Sequence, residues 1–247
     1  MTKMIIIITV FSASIFSALL ADDNSIWAGP TRDNIYTETN LADSWPEDGP
    51  ELLWQFDSLG IGYSAVAVNS SGVYVTGMKS DRTGHLYAFN HDGSIKWTIP
   101  YGSEWHRGFP GTRSTPVIYE GLMYFESAQG VVFCIKPENG EIVWSKDLMN
   151  DYGGVNIQYG LSESILVDDD RVICTPGGSE HNLMALNRLT GEVIWTNSAK
   201  GEPPTYLTPS LIERNGSKFL VTMTSSSIMG IEFETGELLW SHLFING

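Results

Sequence analysis

Leu183-Met-Ala-Leu-Asn-Arg-Leu-Thr-Gly-Glu-Val-Ile-Trp195 decides the fold, because the same pattern occurs three more times. The other copies are Leu86-Tyr-Ala-Phe-Asn-His-Asp-Gly-Ser-Ile-Lys-Trp97, Val132-Phe-Cys-Ile-Lys-Pro-Glu-Asn-Gly-Glu-Ile-Val-Trp144 and Ile228-Met-Gly-Ile-Glu-Phe-Glu-Thr-Gly-Glu-Leu-Leu-Trp240. In each copy a glycine (Gly93, Gly140, Gly191, Gly236) precedes the tryptophan by four residues. Two apolar runs around such a turn make a β-hairpin, with glycine supplying the positive φ of a tight reversal. A partial fifth copy, Glu51-Leu-Leu-Trp54, stands upstream, and the tryptophans recur every 43 to 51 residues. That period is the length of one four-stranded blade.

Two more short apolar runs precede each hairpin. The first strands are read at residues 64–68, 114–118, 163–167 and 208–212, and the second at 73–76, 122–126, 171–175 and 219–223. Helical periodicity is not evident after the N-terminal stretch. The fold class is therefore all-β, a β-propeller with about four blades. Leu52 to Phe56 reads as an extra N-terminal strand, an outer strand without its own inner three, so the chain is expected to form part of a larger propeller. An unclosed propeller leaves a blade face exposed, which favours self-association. Since a blade's fourth strand lies at the rim, Trp54, Trp97, Trp144, Trp195 and Trp240 are expected to wedge between adjacent blades, a structural role shared with the four turn glycines.

The 247 residues include 14 Lys and Arg against 29 Asp and Glu, a net charge of -15. With no basic cluster, a nucleic acid or an anionic membrane surface is not an expected partner. Residues 1–21 have the form of a signal peptide, with Lys3, an apolar run containing Ile5 to Ile8, and small residues at Ala18 and Ala21. A periplasmic or secreted location follows, and with no cysteine near the cut no lipid anchor is expected. Residues 22–50 are read as an N-terminal extended segment and 51–247 as the propeller repeats. Cys134 and Cys174, the two cysteines, lie in apolar runs, and both a disulfide and two buried thiols remain open at this stage.

Topology sends the longer loops to one face, around residues 100–112, 148–161 and 198–205, and loops of this kind carry function. They hold Trp105, His106, Arg107 and Tyr159, while Tyr63, Arg113, Glu163 and Tyr206 stand where the chain leads into the inner strands. Together these eight form the expected binding set. Arg113 can pair with an anionic ligand group, and Glu163 can hold a cation or act as a base. The structural reading is that Arg113 and Glu163 pair with one another or with backbone groups across neighbouring blades. Asp168-Asp169-Asp170 lacks the glycine and distal glutamate of a calcium loop and reads as a solvated turn. The five histidines show no zinc spacing, so no metal site and no catalytic residue is assigned.

The segment Asn187-x-x-Thr190-Gly191-x-x-x-Trp195 and its echoes resemble the tryptophan-docking repeat of pyrroloquinoline-quinone-like (PQQ-like) propellers, as do Trp27-Ala-Gly-Pro-x-Arg-Asp-Asn and Gly111-Thr-Arg-Ser-Thr-Pro116. That family includes quinoprotein alcohol dehydrogenases and the propeller lipoprotein of the outer-membrane assembly machinery. The resemblance implies fold more strongly than function. A dehydrogenase would carry PQQ on a calcium ion held by Glu, Asn and Asp, for which only Glu163 and Asn156 are suitably placed here. The expectation is thus a non-catalytic binding or scaffold propeller without cofactor, serving a protein, peptide or small ligand. The alternatives are a fragment of a PQQ-dependent dehydrogenase and an outer-membrane protein assembly factor.

Overall fold

The computed structural model describes residues 25–36 and 39–244. The expected signal peptide lies outside them. Four antiparallel sheets follow one another, each a four-stranded meander. Blade 1 contains β1 (Ala67–Asn69), β2 (Gly72–Met78), β3 (Thr83–Phe89) and β4 (Ile95–Ser103). Blade 2 contains β5 (Val117–Tyr119), β6 (Leu122–Glu126), β7 (Val131–Ile135) and β8 (Ile142–Asp147). Blade 3 contains β9 (Leu166–Asp168), β10 (Arg171–Cys174), β11 (Leu183–Asn187) and β12 (Val193–Asn197). Blade 4 contains β13 (Ser210–Arg214), β14 (Ser217–Met223), β15 (Ser227–Glu232) and β16 (Leu238–Leu243).

The hairpin repeat explains how the blades pack. Each tryptophan pairs across the hairpin with a small residue, Ala88, Cys134, Ala185 or Gly230, and in every blade the register shifts between that residue and the next. The bulge turns the outer strand, and the indole projects onto the next blade's turn glycine. A Cβ on Gly93 would meet the Trp54 ring at 2.6 Å, and those on Gly140, Gly191 and Gly236 would meet Trp97, Trp144 and Trp195 at 2.9, 2.8 and 2.4 Å. These four glycines also have positive φ, so two constraints select glycine there. The indole N–H of each docked ring donates to a carbonyl in the same turn: Trp54 to His91, Trp97 to Pro137, Trp144 to Arg188 and Trp195 to Phe233. Trp240 has no such neighbour among the described residues and is 47% exposed, against 8% for Trp144 and 7% for Trp195.

Three expectations are corrected. Residues 52–56 form no strand; without a third strand to pair with, this segment lies across blade 1, where Trp54, Phe56 and Leu59 cover Val73, Val75, Tyr87 and Phe89. The N-terminal segment is not extended over residues 25–35. Left-handed Ala28, Arg32 and Asn34 fold it back across the inner strands, where Ser25 pairs with Ile118 and the Arg32 guanidinium donates to the Val167 carbonyl. Among the described residues one helix interrupts the strands, α1 (Leu148–Tyr152), capped by the Asp147 carboxylate and ended by left-handed Gly153. Its five residues are too few to show a helical period.

Cys134 and Cys174 are free and buried within one core cluster between blades 2 and 3. Burial pushes the Cys134 thiol up to about 12 and raises that of Cys174 as well, where Glu163 and Glu126 add to the effect. The thiolate is the reactive form, so both should resist a thiol reagent in the native protein and react together on unfolding. Spectrophotometric titration with a disulfide reagent, with and without guanidinium chloride, checks this.

Candidate functional site

Where the chain leads into the inner strands, successive blades are tied by a one-way ladder. The Ala65 amide donates to Thr115 Oγ1 at 3.0 Å, the Thr115 amide to Ser164 Oγ at 3.2 Å, and the Ser164 amide to Thr208 Oγ1 at 2.9 Å. Above this ladder lies an open cleft of about 590 Å³, walled by Tyr63, Arg113 and Tyr206 from the blades and by Trp27 and Arg32 from the N-terminal segment.

Three of the eight expected binding residues, Tyr63, Arg113 and Tyr206, meet in this cleft. The Arg113 guanidinium lies 5.1 Å from the Tyr63 ring centre, and its Nη2 donates to the Phe109 carbonyl. Phe109 holds a left-handed backbone (φ 55°), costly for a bulky residue. Its ring meets Tyr159 edge-on at 5.4 Å, and Tyr159 stacks with Tyr206 at 6.2 Å, its amide donating to the Tyr206 hydroxyl. Tyr63, Phe109 and Tyr206 are each more than half exposed, so an aromatic fence stands open to solvent.

Trp105, His106 and Arg107 line a separate depression with Gln129 and Asn156. Trp105 is buried rather than displayed; its indole N–H donates to the Gly108 carbonyl and the Arg107 guanidinium lies 5.6 Å from its ring. His106 and Arg107 are exposed.

Glu163 is placed differently from the sequence expectation. Ser162 and Ser164 face the cleft, while Glu163 is 5% exposed and forms no ion pair with Arg113 among the described residues. Its Oε1 has no hydrogen-bond partner. Burial pushes its carboxyl up to about 8, so it is largely protonated at neutral pH. Glu126, equally buried, is raised well above the carboxylate range, first by burial and then by the fields of Glu163 and Glu104. Glu104 is raised by burial, although Tyr101 donates to its Oε1 and the Trp105 and Ala128 amides to its Oε2.

Sequence reasoning missed Glu104, Glu126 and Arg32. A signal for Glu126 existed. Tyr74, Tyr124 and Ile173 are register-equivalent, so Glu126 occupies the position of Thr76 and Thr175, and a repeat broken at one blade marks a special environment. Arg32 carries no repeat signal. The Asp168-Asp169-Asp170 turn is neutralised by its neighbours: Lys218 bridges Asp168 and Asp169, and Arg171 pairs with Asp170.

Repeat, docked tryptophans and blade order together define a propeller of PQQ-like repeats. Residues 82–244 match the family described as "Outer membrane protein assembly factor BamB", and the chain belongs to that family. It is 30% identical over 138 residues to the protein of that name from Kangiella koreensis, an alignment covering 54% of this chain and 31% of the relative. It is 25% identical over 175 residues to the quinoprotein alcohol dehydrogenase PedH of Pseudomonas putida, covering 61% and 26%. The chain thus spans less than a third of these relatives. Among solved structures, the quinohemoprotein alcohol dehydrogenase of Comamonas testosteroni superposes with a TM-score of 0.52 at 14% identity, covering 74% of this chain and 35% of that one, a likeness of fold.

Proposed function

We propose that the chain is an exported, non-catalytic binding propeller, in the periplasm or beyond the cell, which offers its long-loop face to a ligand or protein partner. The observation that carries this reading is the cleft walled by Tyr63, Arg113 and Tyr206, where an aromatic fence stands open beside a guanidinium that makes one protein hydrogen bond. Aromatic and arginine side chains are the groups that dominate recognition surfaces. The family and its named assembly-factor relative favour a protein partner.

The dehydrogenase alternative draws on the quinoprotein relatives, but the residues present do not suit the group it requires. The carboxyl best placed by sequence to hold calcium, Glu163, is buried outside the cleft lining, and no three His, Cys, Asp or Glu side chains among the described residues converge where they could hold a metal ion.

Placing a photo-cross-linking amino acid at position 206 in cells tests the proposal, with position 136, in a turn on the opposite face, as control. Adducts should form from 206 and not from 136; equal yields at both, or none at 206, overturn the reading. Supplying PQQ and calcium should produce no dye reduction with alcohols, and turnover above the quinone-free control overturns the non-catalytic part.

A further inference from the structure

The charge of the cleft wall runs against the charge of the chain. The sequence has 29 acidic residues against 14 Lys and Arg, yet the wall contains Arg32 and Arg113 and no Asp or Glu. The remaining polar lining is mostly neutral hydroxyls, Ser64, Thr115, Ser162, Ser164, Thr208 and Ser210 among them. In an acidic molecule such a spot concentrates the field that an approaching anion meets.

Arg113 has unused capacity. It has five N–H donors, and among the described residues its hydrogen bonding is confined to Nη2 on the Phe109 carbonyl, with Nε buried and unpartnered. Among the described residues it belongs to no ion pair. The nearby Glu104 carboxylate already accepts from Tyr101, Trp105 and Ala128. Arg32 is more committed, with Nη2 on the Val167 carbonyl and the field of Asp168 upon it. Arg113 therefore keeps N–H donors to spare on its Nη atoms, its Nε being buried, and its guanidinium carbon lies 5.1 Å from the Tyr63 ring centre. Carboxylates match the guanidinium plane with two parallel hydrogen bonds. Beside it, Trp27, Tyr63 and Tyr206 offer flat apolar surface.

We infer that this cleft recognises a carboxylate joined to an aromatic or large apolar group, the carboxylate on Arg113 and the apolar body against Tyr63, Tyr206 and Trp27. The inference rests on reading the cleft as the binding site and adds the ligand's chemical class.

Calorimetric titration of the full chain with N-acetyltryptophan and with its neutral amide tests it. The two probes differ only in the carboxylate. The acid should bind at least about tenfold more tightly, the value of one charge-assisted contact. In Arg113→Gln that preference should fall below about threefold, with Arg113→Lys intermediate because it keeps charge but loses the fork. The wild-type pair of titrations decides even if a variant fails to fold. Equal affinity for acid and amide overturns the ligand class while leaving a binding cleft. Failure of both probes also overturns it, and cross-links from position 206 would then still support the cleft as a partner site.

Discussion

Replacing Trp195 with alanine is expected to lower the thermal midpoint by about 10 °C or more, whereas Trp240→Ala should change it by no more than a few degrees. Trp195 is 7% exposed, lies against Gly236 of blade 4 and donates to the Phe233 carbonyl. Removing such a ring leaves a cavity and an unpaired carbonyl, a loss of about 3–5 kcal/mol, and at this chain length each kcal/mol is worth about 2–4 °C. Trp240 has the same place in the repeat, but among the described residues its ring touches no neighbouring blade's glycine, and it is half exposed. Differential scanning calorimetry of the two variants compares one sequence motif in two environments. Equal losses would show that the indoles act within their own hairpins rather than between blades.

A second large effect is expected from Glu163→Gln, this time a gain in stability. In the unfolded chain this carboxyl releases its proton near pH 4.3, about the value of a free glutamate; in the folded protein it holds the proton to about pH 8. Between those values the folded state binds more protons, so stability falls as pH rises. Below about pH 4 both states are protonated and the residue contributes nothing. Above pH 8 the penalty of a buried charge is complete. Glu126 acts in the same sense, its proton retained first through burial and then through Glu163 and Glu104. Glutamine keeps the shape without the charge. The variant should match the wild type near pH 4, melt roughly 10 °C higher at pH 8, and show a flatter Tm profile between. Parallel profiles for the two proteins would mean that Glu163 holds its proton no more tightly in the folded chain than in the unfolded one.

Much of the fold is legible from the repeat, for a physical reason. Gly191 and Trp195 each meet a constraint that recurs in every blade, the left-handed turn in one case and the inter-blade wedge in the other. Any residue whose environment repeats shows itself as periodicity. The parts that were not legible are those without a period. Residues 52–56 have strand composition but no strand beside them, and the fold-back of 25–35 depends on the inner strands it crosses. Tyr63, Arg113 and Tyr206 line one cleft because they hold equivalent places in the lead-ins to their inner strands. Ser162 holds that place in blade 3, and Glu163 stands one residue further on, level with Ser64 and Ser114, whose hydroxyls accept from the Thr76 hydroxyl and the Glu126 amide. A one-residue slip in the register of the lead-in exchanges its two faces, and nothing in the sequence before the ladder fixes that register in blade 3.

The ladder of amides onto Thr115, Ser164 and Thr208 also restricts how such a molecule can be rearranged. Every rung points from one module to the next, and a module can occupy an internal place only if it brings a hydroxyl for its predecessor. Ala65 brings none. Duplication of blades 2 or 3 would keep the grammar intact. Insertion of blade 1 between them would leave the Thr115 amide without an acceptor at the floor of the cleft. Blade shuffling in this protein is therefore directional, and a library of permuted blades should yield folded members only where each junction restores a hydroxyl at this position.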